Sequence, residues 1–172
     1  MFVASPDYVK MVKQVYGNAH LSPLSCWDTF LQQNAEVLTE EIACVEKLKL
    51  ETQWQQEPNF AELLKNNFTL VITNLSQEII WTSANFYAMT GYTHSETLGR
   101  RPSFLQGENT CVKTKNMVSG KIKNFEKVES KILNYRKSGE PYWCHIKIEP
   151  LKNIKNEYTH FLAIERKILV DY

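Results

Sequence analysis

Three β-rich runs near the C-terminus, Glu126 to Tyr135, Tyr142 to Pro150 and Tyr158 to Ile168, restrict the fold more than any other feature of the chain. One set of their alternating positions holds Val128, Ser130, Ile132 and Asn134, then Tyr142, Cys144, Ile146 and Ile148, then Phe161, Ala163 and Glu165. The opposite set holds Leu133, Tyr135, Trp143, Leu162 and Ile164. An antiparallel sheet with one wet face alternates cleanly between apolar and polar side chains. Here both faces are apolar at their centres, so each needs a cover. The segments Arg136 to Glu140 and Lys152 to Asn156 are rich in turn formers and read as hairpin loops.

Two earlier runs, Phe68 to Thr73 and Ile79 to Thr82, read as strands joined by the polar turn Asn74 to Glu78. Short helices are expected over Asn59 to Lys65, over Ser83 to Gly91 and from Thr93 onward. A longer one is expected over Thr110 to Asn124, with Val118, Ile122 and Phe125 inward and Lys113, Lys115, Lys121 and Lys123 on the wet side. Two strands, small helices and three strands in that order imply an α+β domain whose sheet carries the helices on one face.

Upstream of Pro58 the pattern is helical. Ser5-Pro6-Asp7 reads as a helix start, Tyr8 to Tyr16 as its body and Gly17-Asn18 as its stop. A second helix is expected from Ser25, with Leu31, Ala35, Leu38, Ile42 and Val45 along one narrow seam that Lys49 interrupts. Such a helix either covers its own sheet or pairs with a second copy. The chain therefore divides into a helical arm, residues 1–58, and a sheet domain, residues 59–172.

Charge and composition narrow the function classes. Net charge is +1, against a chain that lives by neutralising phosphates. Between Thr110 and Lys137 eight basic residues face two acids, but no aromatic interleaving accompanies them, so they read as a solvated surface. Neither a membrane span nor a secretory leader is expected. Cys26, Cys44, Cys111 and Cys144 are scattered, without metal-ligand spacing, which points to a reducing, cytoplasmic setting. No nucleophile elbow, phosphate loop or paired-acid spacing is present, so no enzyme and no metal site are expected. Trp27, Trp54, Trp81 and Trp143 read as core or interface anchors.

The segment Phe68 to Ile168 resembles a PAS domain of the LOV branch, the flavin-binding blue-light sensors. The resemblance rests on Asn85-Phe86, Thr90-Gly91-Tyr92, Glu96, Leu98-Gly99-Arg100 and Phe104-Leu105-Gln106-Gly107, and then on Leu133 to Gly139 and Tyr142-Trp143. It implies a five-stranded antiparallel sheet, a pocket between sheet and helices, and a sensing role. PAS domains commonly dimerise through flanking helices, which suits the arm.

The flavin signature departs from the family. Where LOV domains place the cysteine whose thiol bonds to the flavin, this chain has Pro102, and Cys111 lies beyond the signature. Arg101 and Ser103 stand where the family has Asn and Arg, and Asn116 falls near a second phosphate-binding Arg. Asn134 is kept, Cys144 replaces the second ring-clamping Asn, Glu165 replaces the final-strand Gln, and Gln106 is retained. Arg100, Arg101, Lys113 or Lys115 are the cations left to meet a phosphate. A buried Glu165 needs a proton or a cation, and pairing with Arg101 would fill the pocket with protein.

The expectation is a non-catalytic sensory module without a bound cofactor, its pocket packed with its own side chains or holding a small-molecule ligand, that is homodimeric or acts on a signalling partner protein. It binds neither nucleic acid nor membrane, and Gln106, Asn134, Cys144 and Glu165 are the residues expected to line the pocket. Its signal is expected to shift the outer sheet face around Trp143, Leu162 and Ile164. The alternative is a cysteine-less LOV flavoprotein that holds flavin mononucleotide (FMN) and signals by photoreduction.

Overall fold

The computed structural model describes residues 23–56 and 58–169, with side chains described from residue 33 onward. The expected first helix, Tyr8 to Tyr16, and the residues Cys26, Trp27 and Leu31 lie outside the described side chains. Helix α1, Pro23–Thr52, starts two residues before the expected Ser25, with proline at its first position where a missing N–H is harmless. It ends at Gln53, which takes a positive φ of 53°. The following segment is stitched to a distant hairpin: Gln55 N donates to Lys152 O at 2.8 Å, Ile154 N to Gln53 O at 3.0 Å, and Lys152 N to Gln56 Oε1 at 2.8 Å.

Helix α2, Phe60–Lys65, is capped by Asn59, whose side-chain oxygen accepts from Glu62 N at 3.0 Å. Strands β1, Thr69–Asn74, and β2, Ile79–Thr82, form the first hairpin. Helices α3, Asn85–Thr90, and α4, His94–Thr97, follow. Gly91 ends α3 at φ 78°, a conformation that glycine adopts without strain. Thr93 and Glu96 form the capping box of α4. A 3₁₀ turn at Pro102–Leu105 and helix α5, Val112–Lys123, lead into β3, Val128–Tyr135, β4, Pro141–Lys152, and β5, Tyr158–Ile168.

The five strands form one antiparallel sheet in the order β2-β1-β5-β4-β3. The fold is α+β with the expected five-stranded sheet, and β5 sits at its centre. Helices α3 and α5 and the 3₁₀ turn cover the face carrying Val71, Ile132, Ile146 and Ala163. The other face is covered by α1 and α2. Val45 of α1 and Phe60 and Leu64 of α2 form one core with Leu70, Ile72, Leu151 and Leu162, and Leu38, Ile42 and Leu48 pack against it. The seam of α1 is therefore used within its own chain. Ala35, at the other seam position described, is exposed.

Trp54 locks the end of α1. It is 5% exposed, and its indole N–H donates to Thr159 Oγ1 at 3.1 Å and to His160 Nδ1 at 3.3 Å. Glu41 is the polar element of this interface. Only 5% exposed, it accepts the Ala84 backbone N–H, and burial lifts its carboxyl pKa from 4.5 to about 7.

A carboxyl raised on folding binds its proton more tightly in the folded state. Its contribution is fully present below pH 4.5 and is lost as pH climbs through about 7. The wild-type chain is therefore expected to lose on the order of 3 kcal/mol over that window through Glu41, an upper limit set by the shift. Urea unfolding of Glu41→Gln should show a shallower decline between those pH values. Parallel wild-type and variant curves would remove Glu41 from the linkage.

Candidate functional site

A cavity of about 450 Å³ lies between α5, the 3₁₀ turn and the sheet face beneath them. That is within the range of small-molecule sites, roughly 300–1,000 Å³. Strand alternation supplies its apolar wall, from Val71, Ile132, Ile146, Ile148 and Ala163, with Leu105, Val118 and Ile122 opposite. The rim is held by the signature loop. Thr110 Oγ1 donates to Leu133 O at 2.7 Å and accepts from Gly107 N at 2.9 Å. Gly107 packs so close to Tyr135 that a Cβ would stand 2.4 Å from its ring, which explains the glycine.

Two polar side chains interrupt the apolar wall. Asn134 and Glu165 are each 6% exposed and both line the cavity. Glu165 accepts from the Cys144 thiol at 3.8 Å, and burial raises its pKa from 4.5 to about 7. Cys144 is fully buried beside Glu165 and does not line the cavity; burial, and then the neighbouring carboxyl, push its thiol well above the usual range. Gln106 lines the cavity from the end of the 3₁₀ turn. Of the four candidate residues, the fold thus brings Gln106, Asn134 and Glu165 to one cavity and leaves Cys144 beside Glu165, outside the lining and packed with Met89, Ile132 and Ile146. Pro102 also lines the cavity.

Cations collect toward the solvent side, where Arg101, Lys115 and Lys123 line the cavity. The sequence pattern puts Lys115 and Lys123 on the wet side of α5. The helix lies across the cavity, so its flank residues reach the opening. Gln77, from the β1–β2 turn, joins the same lining without any signal in the sequence beyond its turn position. Arg100 is used elsewhere, stacked over the Phe104 ring at 3.7 Å. Arg101 does not fill the cavity by pairing with Glu165, whose hydrogen-bond partner is the Cys144 thiol. Among the described residues no cluster of His, Cys, Asp or Glu could hold a metal ion, and no helix is long and apolar enough to cross a membrane.

An apolar cavity with two polar side chains on its wall and cations among its lining complements a largely apolar ligand that carries a polar edge and an anionic group. Comparison with known proteins points the same way. The PAS domain profile matches residues 66–168. The chain is 37% identical over 101 residues to blue-light-activated histidine kinase 2 of Erythrobacter litoralis, covering 57% of this chain and 29% of that protein. The solved LOV domain of the Erythrobacter litoralis EL346 blue-light activated histidine kinase is 36% identical, with a TM-score of 0.56 over 59% of this chain and 95% of that one. A second solved structure, described as "Flavin Analogue Sheds Light on Light-Oxygen-Voltage Domain Mechanism", is 30% identical, with a TM-score of 0.61 over 64% of this chain and 84% of that one. The chain spans under a third of the length of the curated relatives it matches first, 29% and 19%.

These findings correct the expectation of no cofactor. That expectation rested on the altered phosphate-site arginines and on a pocket closed by an Arg101–Glu165 pair. The cavity is open, three cations line it, Arg101 among them, and the neighbours are light-oxygen-voltage domains, one of them described with a flavin analogue.

Replacing Ala163 by Leu should fill part of the cavity without exposing new surface. The fluorescence of an anilinonaphthalene sulfonate dye added to ligand-free protein is expected to fall about fivefold or more, with the thermal midpoint held. Undiminished dye fluorescence would mean that the cavity is not the apolar binding site.

Proposed function

The chain belongs to the PAS domain family, and from that premise we propose that it is a light-sensing module holding a flavin-class ligand between α5 and the sheet. Bound there, a flavin supplies visible-light absorption and redox chemistry. The residues then have separate tasks. Arg101, Lys115 and Lys123 hold a phosphate near solvent, with Arg101 offering a forked donor. Asn134, Gln106 and Glu165 orient the polar ring edge, and the aliphatic wall excludes water. Pro102 carries no sulfur, and among the described residues no cysteine lines the cavity, so the proposed cycle runs without a thiol bond to the ring. The cysteine-less flavoprotein reading is thereby preferred to a pocket packed with protein.

One observation carries the signalling part of the proposal. Along β5, Phe161, Ala163 and Glu165 line the cavity, while Leu162 and Ile164 belong to the core beneath α1. A change in the side chains on one face therefore reaches the helix on the other through a single strand. Light changes the relative stability of two packings of α1 because the ligand interacts differently with each. The output passes to a second copy of the chain or to a partner protein, and the module itself performs no catalysis. Three described free thiols, Cys44, Cys111 and Cys144, support a reducing cytoplasmic setting.

Purified full chain incubated with FMN and passed through gel filtration is expected to keep the absorption spectrum of an oxidised flavin. A colourless eluate would overturn the proposal. Charge reversal at Lys115 and Lys123 together should weaken FMN about tenfold or more while leaving riboflavin, which has no phosphate, nearly unaffected. Under illumination, amide hydrogen exchange over residues 38–48 should change along with the sedimentation coefficient. Invariance of both would exclude α1 as the output.

A further inference from the structure

The Glu165 carboxyl is buried and lines the cavity, and among the described residues its hydrogen-bond partner is a thiol, Cys144 Sγ at 3.8 Å. Its cross-strand neighbours do not satisfy it. Thr69 on β1 directs its hydroxyl to Met89 Sδ at 3.8 Å, and Ile146 on β4 is apolar. Its titratable neighbours on β4 are Tyr142 and Cys144, both pushed up by burial and so uncharged. Asn134 on β3 carries no charge, α5 contributes Lys115 and Lys123, and the residue before the 3₁₀ turn is Arg101. Among the described residues none of these cations forms an ion pair with Glu165.

An ionised carboxylate in that position is largely removed from water and, among the described residues, has no counter-charge, and burial accordingly raises its pKa to about 7. Protonated, it presents one O–H donor and one carbonyl acceptor, the same pattern as the amide of Asn134. The wall then offers two donor–acceptor pairs, which suits a ring edge where carbonyls alternate with N–H, as in an imide or lactam. Building on the flavin-class reading, we infer that Glu165 binds the ligand as the neutral acid, giving its O–H to a ring carbonyl, so that ligand uptake carries a proton in from solvent. The only bond made is the O–H of Glu165, and the proton returns to solvent on release.

Linkage fixes the pH dependence. Below about pH 7 the acid is already neutral and affinity is flat. Above it each binding event must bring a proton, and Kd rises toward about tenfold per pH unit. The test is fluorescence titration of the full chain with riboflavin, which has no phosphate to titrate, between about pH 6 and about pH 9. Calorimetry near pH 8 in two buffers of different ionisation enthalpy counts the protons. The wild type should take up about one proton per riboflavin, and Glu165→Gln should bind with an affinity constant within about twofold across the range. Binding by the wild type that is flat with pH, without proton uptake, would overturn this inference and leave the proposed function standing. Failure of folded wild type and folded Glu165→Gln to bind riboflavin or FMN at any pH would overturn both.

Discussion

The central strand β5 must be buried on both faces, and most of the architecture is a response to that requirement. Its Leu162 side chain has no solvent exposure and sits under α1 with Ile72 and Leu151, which are equally buried. Fully burying one such side chain stabilises the fold by about 1.5–3 kcal/mol, so an uncovered outer face would leave several of these contributions unmade. Helix α1 is consequently part of the folded unit, although by its sequence it could equally have been a strut between two copies. The opposite face of the same strand is covered less tightly. There α5 lies across the sheet at the distance that leaves the cavity.

The two faces also differ in how they treat a buried acid. Glu41, on the side of α1, receives a backbone N–H from Ala84, and in return the helix is fastened to the segment that opens α3. Glu165, on the cavity side, has a thiol for a partner, one of the weaker donors available to a carboxyl. Both carboxyls are raised toward neutrality by the same cause, removal from water. One of them is satisfied by the fold and is structural. The other keeps bonding capacity in hand, and it faces the cavity.

The loop between α4 and α5 shows how a sequence signature translates into geometry. Arg100 is spent on the ring of Phe104, which itself meets Tyr92 edge-on at 5.0 Å, and Gly107 lets the chain pass over Tyr135. Residues of the signature therefore serve two ends: some hold the loop against β3, while Arg101, Pro102 and Gln106 turn to the cavity. Spacing along the chain marked all of them alike. Their division of labour depends on which side of a 3₁₀ turn each side chain leaves.

Periodicity was enough to read the strands, the α+β order, the face assignments and the need for a cover on both sides, because alternation with period two is a local property of an extended chain. It also placed Asn134 and Glu165 on one face, since their strands run through well-marked hairpins. The match of Phe104 to Gly107 and its neighbours carried the family. Three matters were decided only by tertiary packing. Whether Leu38, Ile42 and Val45 meet their own sheet or another copy depends on where α1 ends and how Trp54 is anchored to β5. Whether Arg101 reaches Glu165 depends on the path of the 3₁₀ turn, and Lys115 and Lys123 face the cavity because of how α5 crosses the sheet. A charge's partner is set by distances between elements far apart in sequence, and no local pattern encodes those distances.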